Sequence, residues 1–208
     1  THTRSSAASD VYKRQGILSG DAILILAYQK LATYEPNILA KLLPIFNQTA
    51  IEVCEGQQYD MDFESRDDVS ISEYLQMIKF KTAVLLGCSL KMGAIIGKSS
   101  EADANELYNF GVNLGLAFQL QDDILDVYAD QNKFGKQVGG DIIANKKTYL
   151  LLKAYEDADQ HEVALLNSLL TETNLTQKVN GVKNIYERLD IRNKAEEEMN
   201  KYYKIALN

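Results

Sequence analysis

Two prolines, two cysteines and two histidines are all that the 208 residues offer of the groups that break helices, cross-link chains or hold soft metals. With only Pro36 and Pro44 present and alternating apolar and polar runs scarce, the pattern favours long helices over a sheet, and an all-α fold is expected. Cys54 and Cys88 each sit inside an apolar helical pattern, with no Cys or His at metal-ligand spacing. Both are expected to be reduced core residues, which excludes a disulfide scaffold. Lys and Arg number 22 against 29 Asp and Glu, a formal net charge of -7, and no basic block stands out, so a nucleic-acid partner is excluded. Apolar runs such as Ala22 to Ala27 fall far short of the roughly 20 residues that cross a bilayer, and none follows a charged leader with a cleavage site. A soluble, cytoplasmic protein without a membrane span is the expectation.

What is present suffices for one domain, since 46% of the residues are hydrophobic. Residues 1–15, rich in Ser, Ala, Lys and Arg and without an initiating Met, show no continuous helical face and read as a non-native or disordered leader. The apolar pattern starts abruptly at Gly16, as it would inside a larger helical domain, and residues 16–208 form the domain proper. A first helix is expected over Ile17 to Tyr34. Leu39, Leu42, Leu43, Phe46, Ala50, Val53 and Cys54 carry a second, with Pro44 marking a kink or a late start and Gly56 its end. Gln57 to Val69 then reads as a polar connector. Ser70 and Glu73 form a capping box ahead of a long helix to Gly97, and Ser100 with Asp103 opens another that runs to Tyr128. Ala129 to Asp141, with Phe134-Gly135-Lys136 and Gly139-Gly140, reads as a mobile lid. Ile142 to Glu156, Glu162 to Leu170 and Lys178 to Ile205 complete the helical segments.

The stretch Phe118-Gln119-Leu120-Gln121-Asp122-Asp123-Ile124-Leu125-Asp126 carries the chemistry. On a helix Gln119, Asp122 and Asp126 fall at i, i+3 and i+7 and share one stripe, continued by Gly115 and Gly111. Such a row is either a solvated face or, in a sheltered setting, a set of carboxylates that tolerate each other only through a cation. Hard oxygen ligands at this spacing suit Mg²⁺, which takes one or two carboxylates together with phosphate oxygens and water. Basic residues follow at once, with Lys136 in the lid and Lys146-Lys147-Thr148 opening the next segment, and a bound cation would bridge acids and phosphate. Lys81-Thr82 interrupts an otherwise apolar helix, so Lys81 either snorkels to the surface or meets an anion.

Taken in order, Gly20-Asp21-Ala22, Glu55-Gly56-Gln57 with Asp60, Lys81-Thr82-Ala83, the Phe118 to Asp126 run, Phe134-Gly135-Lys136 to Gly140-Asp141, and Lys146-Lys147-Thr148 resemble the polyprenyl synthetase family of trans-isoprenyl diphosphate synthases from Gly16 to the C-terminus. The resemblance implies the C-terminal portion of an isoprenoid-synthase helical bundle. It implies a prenyltransferase that condenses an allylic diphosphate with isopentenyl diphosphate to a farnesyl, geranylgeranyl or longer product. Carried over residue by residue, Asp122 and Asp126 ligate Mg²⁺ with Asp123 supporting, while Lys81 and Lys136 contact the allylic diphosphate and Lys146 adds a further contact. Thr82 and Gln119 lie beside the allylic carbons and steer the cation and the final deprotonation. Phe118 is expected as a core aromatic or as part of the tail lining.

The sequence departs from the family where the first aspartate-rich motif and the basic motif for isopentenyl diphosphate belong, since nothing from Thr1 to Leu31 supplies either. The chain alone is therefore expected to be inactive or nearly so. A homodimer is a family expectation. Two rivals are weaker: a non-catalytic subunit of a heteromeric synthase conflicts with the intact Asp122, Asp123 and Asp126, and a terpene cyclase with the Phe134-Gly135-Lys136 lid and the Lys81-Thr82 pair.

Overall fold

A computed structural model describes residues 3–129 and 139–208, with side chains for Tyr12 and from Arg14 onward. Among the described residues every regular element is a helix, and none is long and apolar enough to cross a membrane. The chain divides into two compact units, residues 1–46 and 47–208. The first holds α1 (Thr3–Leu31) and the start of α2 (Pro36–Phe63). Helix α1 passes Gly16 without a break, so the leader segment is helical from Thr3 and the abrupt start of the apolar pattern leaves no mark on the backbone. Its Ile17, Leu18, Ile23, Leu24, Ile25 and Leu26 are all exposed. Pro36 occupies the first helical position of α2, where its missing N–H costs nothing. Pro44 accordingly lies inside the helix rather than at a late start.

In the second unit α2 does not stop at Gly56 but continues to Phe63, which is buried. Gly56 is a contact point and not a terminator: a Cβ there would come within 2.7 Å of the Phe80 carbonyl carbon and 2.8 Å of Lys81 Cα. Much of the expected polar connector is therefore helix. The capping box forms as the sequence predicts, with the Ser70 N–H donating to Glu73 Oε2 at 2.9 Å and the Glu73 N–H to Ser70 Oγ at 3.2 Å. The helix behind it is not uniform, however. It comprises α3 (Ile71–Ile78), a π-helical segment (Lys79–Ala83) and α4 (Val84–Ile96). Lys81-Thr82 sits in that π segment, a deformation common at functional sites.

Helix α5 (Glu101–Tyr128), capped by Ser100 Oγ accepting from the Asp103 N–H, is the hub, packing against α3, the π segment and α4 on one side. Its small residues allow a close crossing, since a Cβ on Gly111 would lie 2.8 Å from Gly87 Cα and one on Gly115 2.7 Å from Ala83 Cα. Its other contacts are with α6 (Gly140–Ile143), α7 (Tyr149–Asp157) and α10 (Ile191–Leu207). Between the last two lie α8 (Gln160–Leu170), opened by an Asp159–Glu162 capping box, and α9 (Leu175–Arg188). Leu116, Leu120, Ile124, Leu150, Tyr186 and Ile191 belong to the core these helices share.

Two expected helices are split in two. Asn145 (φ 54°) separates α6 from α7, and Asp190 (φ 55°) separates α9 from α10. Both are residue types that enter the left-handed region more readily than most, and an α-helix cannot continue through it. Cys88 is buried as expected, but Cys54 is exposed, because it lies on the side of α2 away from the Gly56 contact.

Candidate functional site

The acid-bearing end of α5 presents its three aspartates to different surroundings. Asp122 is exposed, Asp126 half-buried, and Asp123 only 9% exposed. The sequence already contains the reason: Asp123 follows Leu120 by three residues and precedes Val127 by four, so it lies on the buried stripe, about 100° around the helix from Asp122 and on the inward side of Asp126. Its Oδ2 accepts the Tyr74 hydroxyl at 2.6 Å and the Tyr149 backbone N–H at 3.2 Å. Burial pushes the Asp123 carboxyl up to about 7 against those two hydrogen bonds, which favour its charged form. Tyr74, buried beside it, is held well above the usual phenol range, first by burial and then by the Asp123 charge.

Asp126 is tied to the turn beyond the described end of α5. Its Oδ2 accepts the Asp141 N–H at 3.0 Å and its carbonyl the Gly139 N–H at 2.6 Å, while its Oδ1 lies over Gly140. Partial burial raises the Asp126 carboxyl, and the Asp141 N–H opposes that rise. Lys146 Nζ pairs with Asp141 Oδ1 at 2.6 Å, which raises its ammonium, and the charges of Asp60 and Asp126 add to the effect. Lys81 Nζ pairs with Asp60 Oδ2, also at 2.6 Å. The residues thus form a relay: Lys81 pairs with Asp60, whose charge also acts on Lys146, Lys146 pairs with Asp141, and the Asp141 N–H rather than its like-charged carboxylate meets Asp126.

Lys81 has neither snorkelled free nor lost its partner: it lies half-buried on a carboxylate. Thr82, next to it, and Gln119, on the acid stripe, are half-buried too. Phe118 is 57% exposed and is no core aromatic here, since the α5 side it occupies is not covered. Lys136 and the Phe134-Gly135-Lys136 lid lie outside the described residues. Among the described residues no three acids, cysteines or histidines gather into a group that could hold a metal ion unaided.

A sequence family described as Polyprenyl synthetase matches residues 3–189. The chain belongs to the polyprenyl synthetase family. It is 39% identical over 158 residues to the geranylgeranyl diphosphate synthase of Saccharolobus solfataricus, covering 74% of this chain and 48% of that enzyme. It is 40% identical over 142 residues to the geranylfarnesyl diphosphate synthase of Natronomonas pharaonis, covering 66% and 41% of the two. The crystal structure of the geranylgeranyl pyrophosphate synthetase from Pyrococcus horikoshii superimposes with a TM-score of 0.86 at 34% identity, over 91% of this chain and 58% of that one. A second crystal structure, of a geranylgeranyl pyrophosphate synthase, gives 0.83 at 48% identity over 92% and 60%. The chain spans about half the length of the curated relatives it matches.

In this polyprenyl synthetase chain the residues that carry the site beyond those expected are Asp60, Tyr74 and the backbone N–H groups of Tyr149 and Asp141. Asp60 had a readable signal, since it stands one turn after Gly56, the residue whose missing side chain lets α2 meet Lys81. Tyr74 had none, because a tyrosine on an apolar helix face reads as core until its hydroxyl partner is known.

Proposed function

We propose that the chain provides the diphosphate-ionising side of a trans-isoprenyl diphosphate synthase, an enzyme that joins an allylic diphosphate to isopentenyl diphosphate. The observation that carries the reading is the relay beside the α5 acids. It sets Lys81 and Lys146 each on a carboxylate that an incoming diphosphate could replace, with Lys146 near enough for its charge to act on Asp126. The names of the relatives point to a geranylgeranyl-class product.

Mg²⁺ fits the residues present. Asp122 offers an exposed carboxylate and Asp126 an oxygen-rich turn on the same stripe, and an ion of this type completes its shell with phosphate oxygens and water rather than with a third acid. When bound it would neutralise charge on the leaving diphosphate. In this reading Asp122 and Asp126 hold the ion. Asp123, which the resemblance lists as supporting, acts from the core. Lys81 and Lys146, with Lys136 from the lid, bind the phosphate oxygens of the allylic substrate. Thr82 and Gln119 lie along its first carbons, where the hydroxyl and amide dipoles favour the developing cation and orient the proton that leaves the condensed product. The family's first aspartate-rich motif lies outside the 208 residues in this reading, so condensation needs more than this chain. Exposed Leu85 and Phe118 support a homodimer of the family type, and a cytoplasmic place belongs to the same reading.

The test is incorporation of labelled isopentenyl diphosphate by a chimera that carries the preceding half of the Saccharolobus enzyme ahead of Gly16. The chimera should form product with Mg²⁺ and lose it on D122A, while the present chain alone stays near background. A folded chimera that forms product equally well with D122A contradicts the assignment.

A further inference from the structure

Asp123 differs from its neighbours in what it touches. A single oxygen, Oδ2, receives two donors that come from elements distant in sequence: the Tyr74 hydroxyl on α3 and the backbone N–H of Tyr149, the first residue of α7. Each donor leads directly to a cation of the site. Tyr74 belongs to the continuous helical stretch that carries Lys81 in its π segment, and Tyr149 follows Lys146-Lys147-Thr148. The acid stripe, the Lys81 helix and the Lys146 segment therefore converge on one buried atom. That atom is on the residue adjacent to exposed Asp122, roughly 100° around the helix from it.

We propose that Asp123 and Tyr74 are positioning residues, and that their hydrogen bond sets the rotation of α5 and the distance between its outward acids and the lysines that receive the diphosphate. Asp123 then acts on the ligand through Asp122 and Asp126, not as a ligand of the ion. A buried polar pair of this kind fixes one arrangement of helices where apolar packing alone would admit several, and orienting partners of this sort govern how outward ligands meet an ion. Tyr74, 3% exposed and enclosed by the core, has no direct route to metal or substrate. An effect of Tyr74 on binding is therefore indirect, through Asp123 or along its own helix to Lys81, and the Y74F/D123L pair tells the two routes apart.

The inference rests on the proposed function, and the experiment separates the two. Inorganic pyrophosphate is titrated calorimetrically into the 208-residue chain over a series of Mg²⁺ concentrations, for the parent, Y74F, D123L, D123N and the Y74F/D123L pair. Circular dichroism confirms that each is folded. Y74F removes one oxygen atom and should weaken pyrophosphate binding about fivefold, and D123L by at least as much. The pair should be no weaker than D123L alone, because both remove the same contact. D123N keeps an oxygen for both donors and should recover most of the loss, which a ligand carboxylate stripped of its charge would not. Y74F binding as the parent does, D123N as weak as D123L, or additive losses in the pair would each overturn the positioning role while leaving the proposed function standing. A folded parent that does not bind pyrophosphate with Mg²⁺ would overturn both.

Discussion

Substitution of Gly56 by alanine tests whether the approach of α2 to the Lys81 segment is as close as the structure has it. In an exposed helix interior the change would stabilise by about 1 kcal/mol, because alanine restricts the unfolded chain and favours the helix. At Gly56 the added Cβ would instead meet main chain, at 2.7 Å from the Phe80 carbonyl carbon and 2.8 Å from Lys81 Cα. Neither atom can swing aside as a side-chain tip could, so the overpacking cost belongs near the upper end of about 1–3 kcal/mol. The net expectation is a loss of about 2 kcal/mol, which for a unit of this size lowers the melting temperature by about 4–8 °C. Gly93 is the matched control: it lies inside α4 with nothing within 4 Å of a built Cβ, and G93A should raise the melting temperature by a few degrees. Thermal unfolding of both variants followed by circular dichroism decides the matter. G56A as stable as G93A would refute the close approach, and with it the placement of Asp60 against Lys81.

Other consequences are as direct. Leu120 has no exposed surface, and L120A should cost about 2–5 kcal/mol in urea unfolding; a loss below about 1 kcal/mol would mean that α5 is not the hub. Asp157 accepts from Lys194 at 2.8 Å and from Lys153 at 3.0 Å, and the first of these does most to hold its carboxyl below the usual range. A depressed folded pKa means stability that is present above the unfolded value near 3.8 and lost as the pH falls through the lower, folded one. D157N should therefore be less stable than the parent at pH 7, by at most about 1 kcal/mol because the groups are partly exposed, and should converge with it in strong acid. A gap that stays constant down to pH 2 would refute the ion-pair origin. D60N frees Lys81 from its carboxylate and should tighten pyrophosphate binding in Mg²⁺ a few-fold. Weaker binding would show that Asp60 helps to hold the ligand rather than to hold its place.

The sequence carried the all-α class, the caps at Ser70 and Ser100 and the extent of α5 because each depends on local chemistry: a hydroxyl against an orphan N–H, and a three-and-four spacing of apolar groups. It did not show the mixed burial of the stripe it proposed, since Asp122 is exposed, Gln119 and Asp126 are half-buried, and Gly115 and Gly111 are buried against Ala83 and Gly87. It did not show the π segment, since one extra residue in a turn scarcely disturbs an apolar pattern that is dense on all sides. Gly56 looked like a stop because a missing side chain has the same appearance at a helix end and at a helix crossing, and only the partner's backbone distinguishes them. Asp123 was expected to support the ligands from beside them because it was read with its neighbours in sequence, whereas its stripe is that of Leu120 and Val127. The breaks are centred on left-handed residues, Asp190 between α9 and α10 and Asn145 within the five-residue gap between α6 and α7, which no periodicity announces.

The account depends above all on the outward acids of α5 and the lysines opposite holding one diphosphate through a divalent ion. Calorimetric titration of inorganic pyrophosphate into the folded chain, with Mg²⁺ and then with a chelator, and repeated on D122A, tests that claim most directly. Binding that requires Mg²⁺ and falls by more than about tenfold in D122A is the predicted result. Binding that is equally strong with the chelator, or unchanged in D122A, would contradict it.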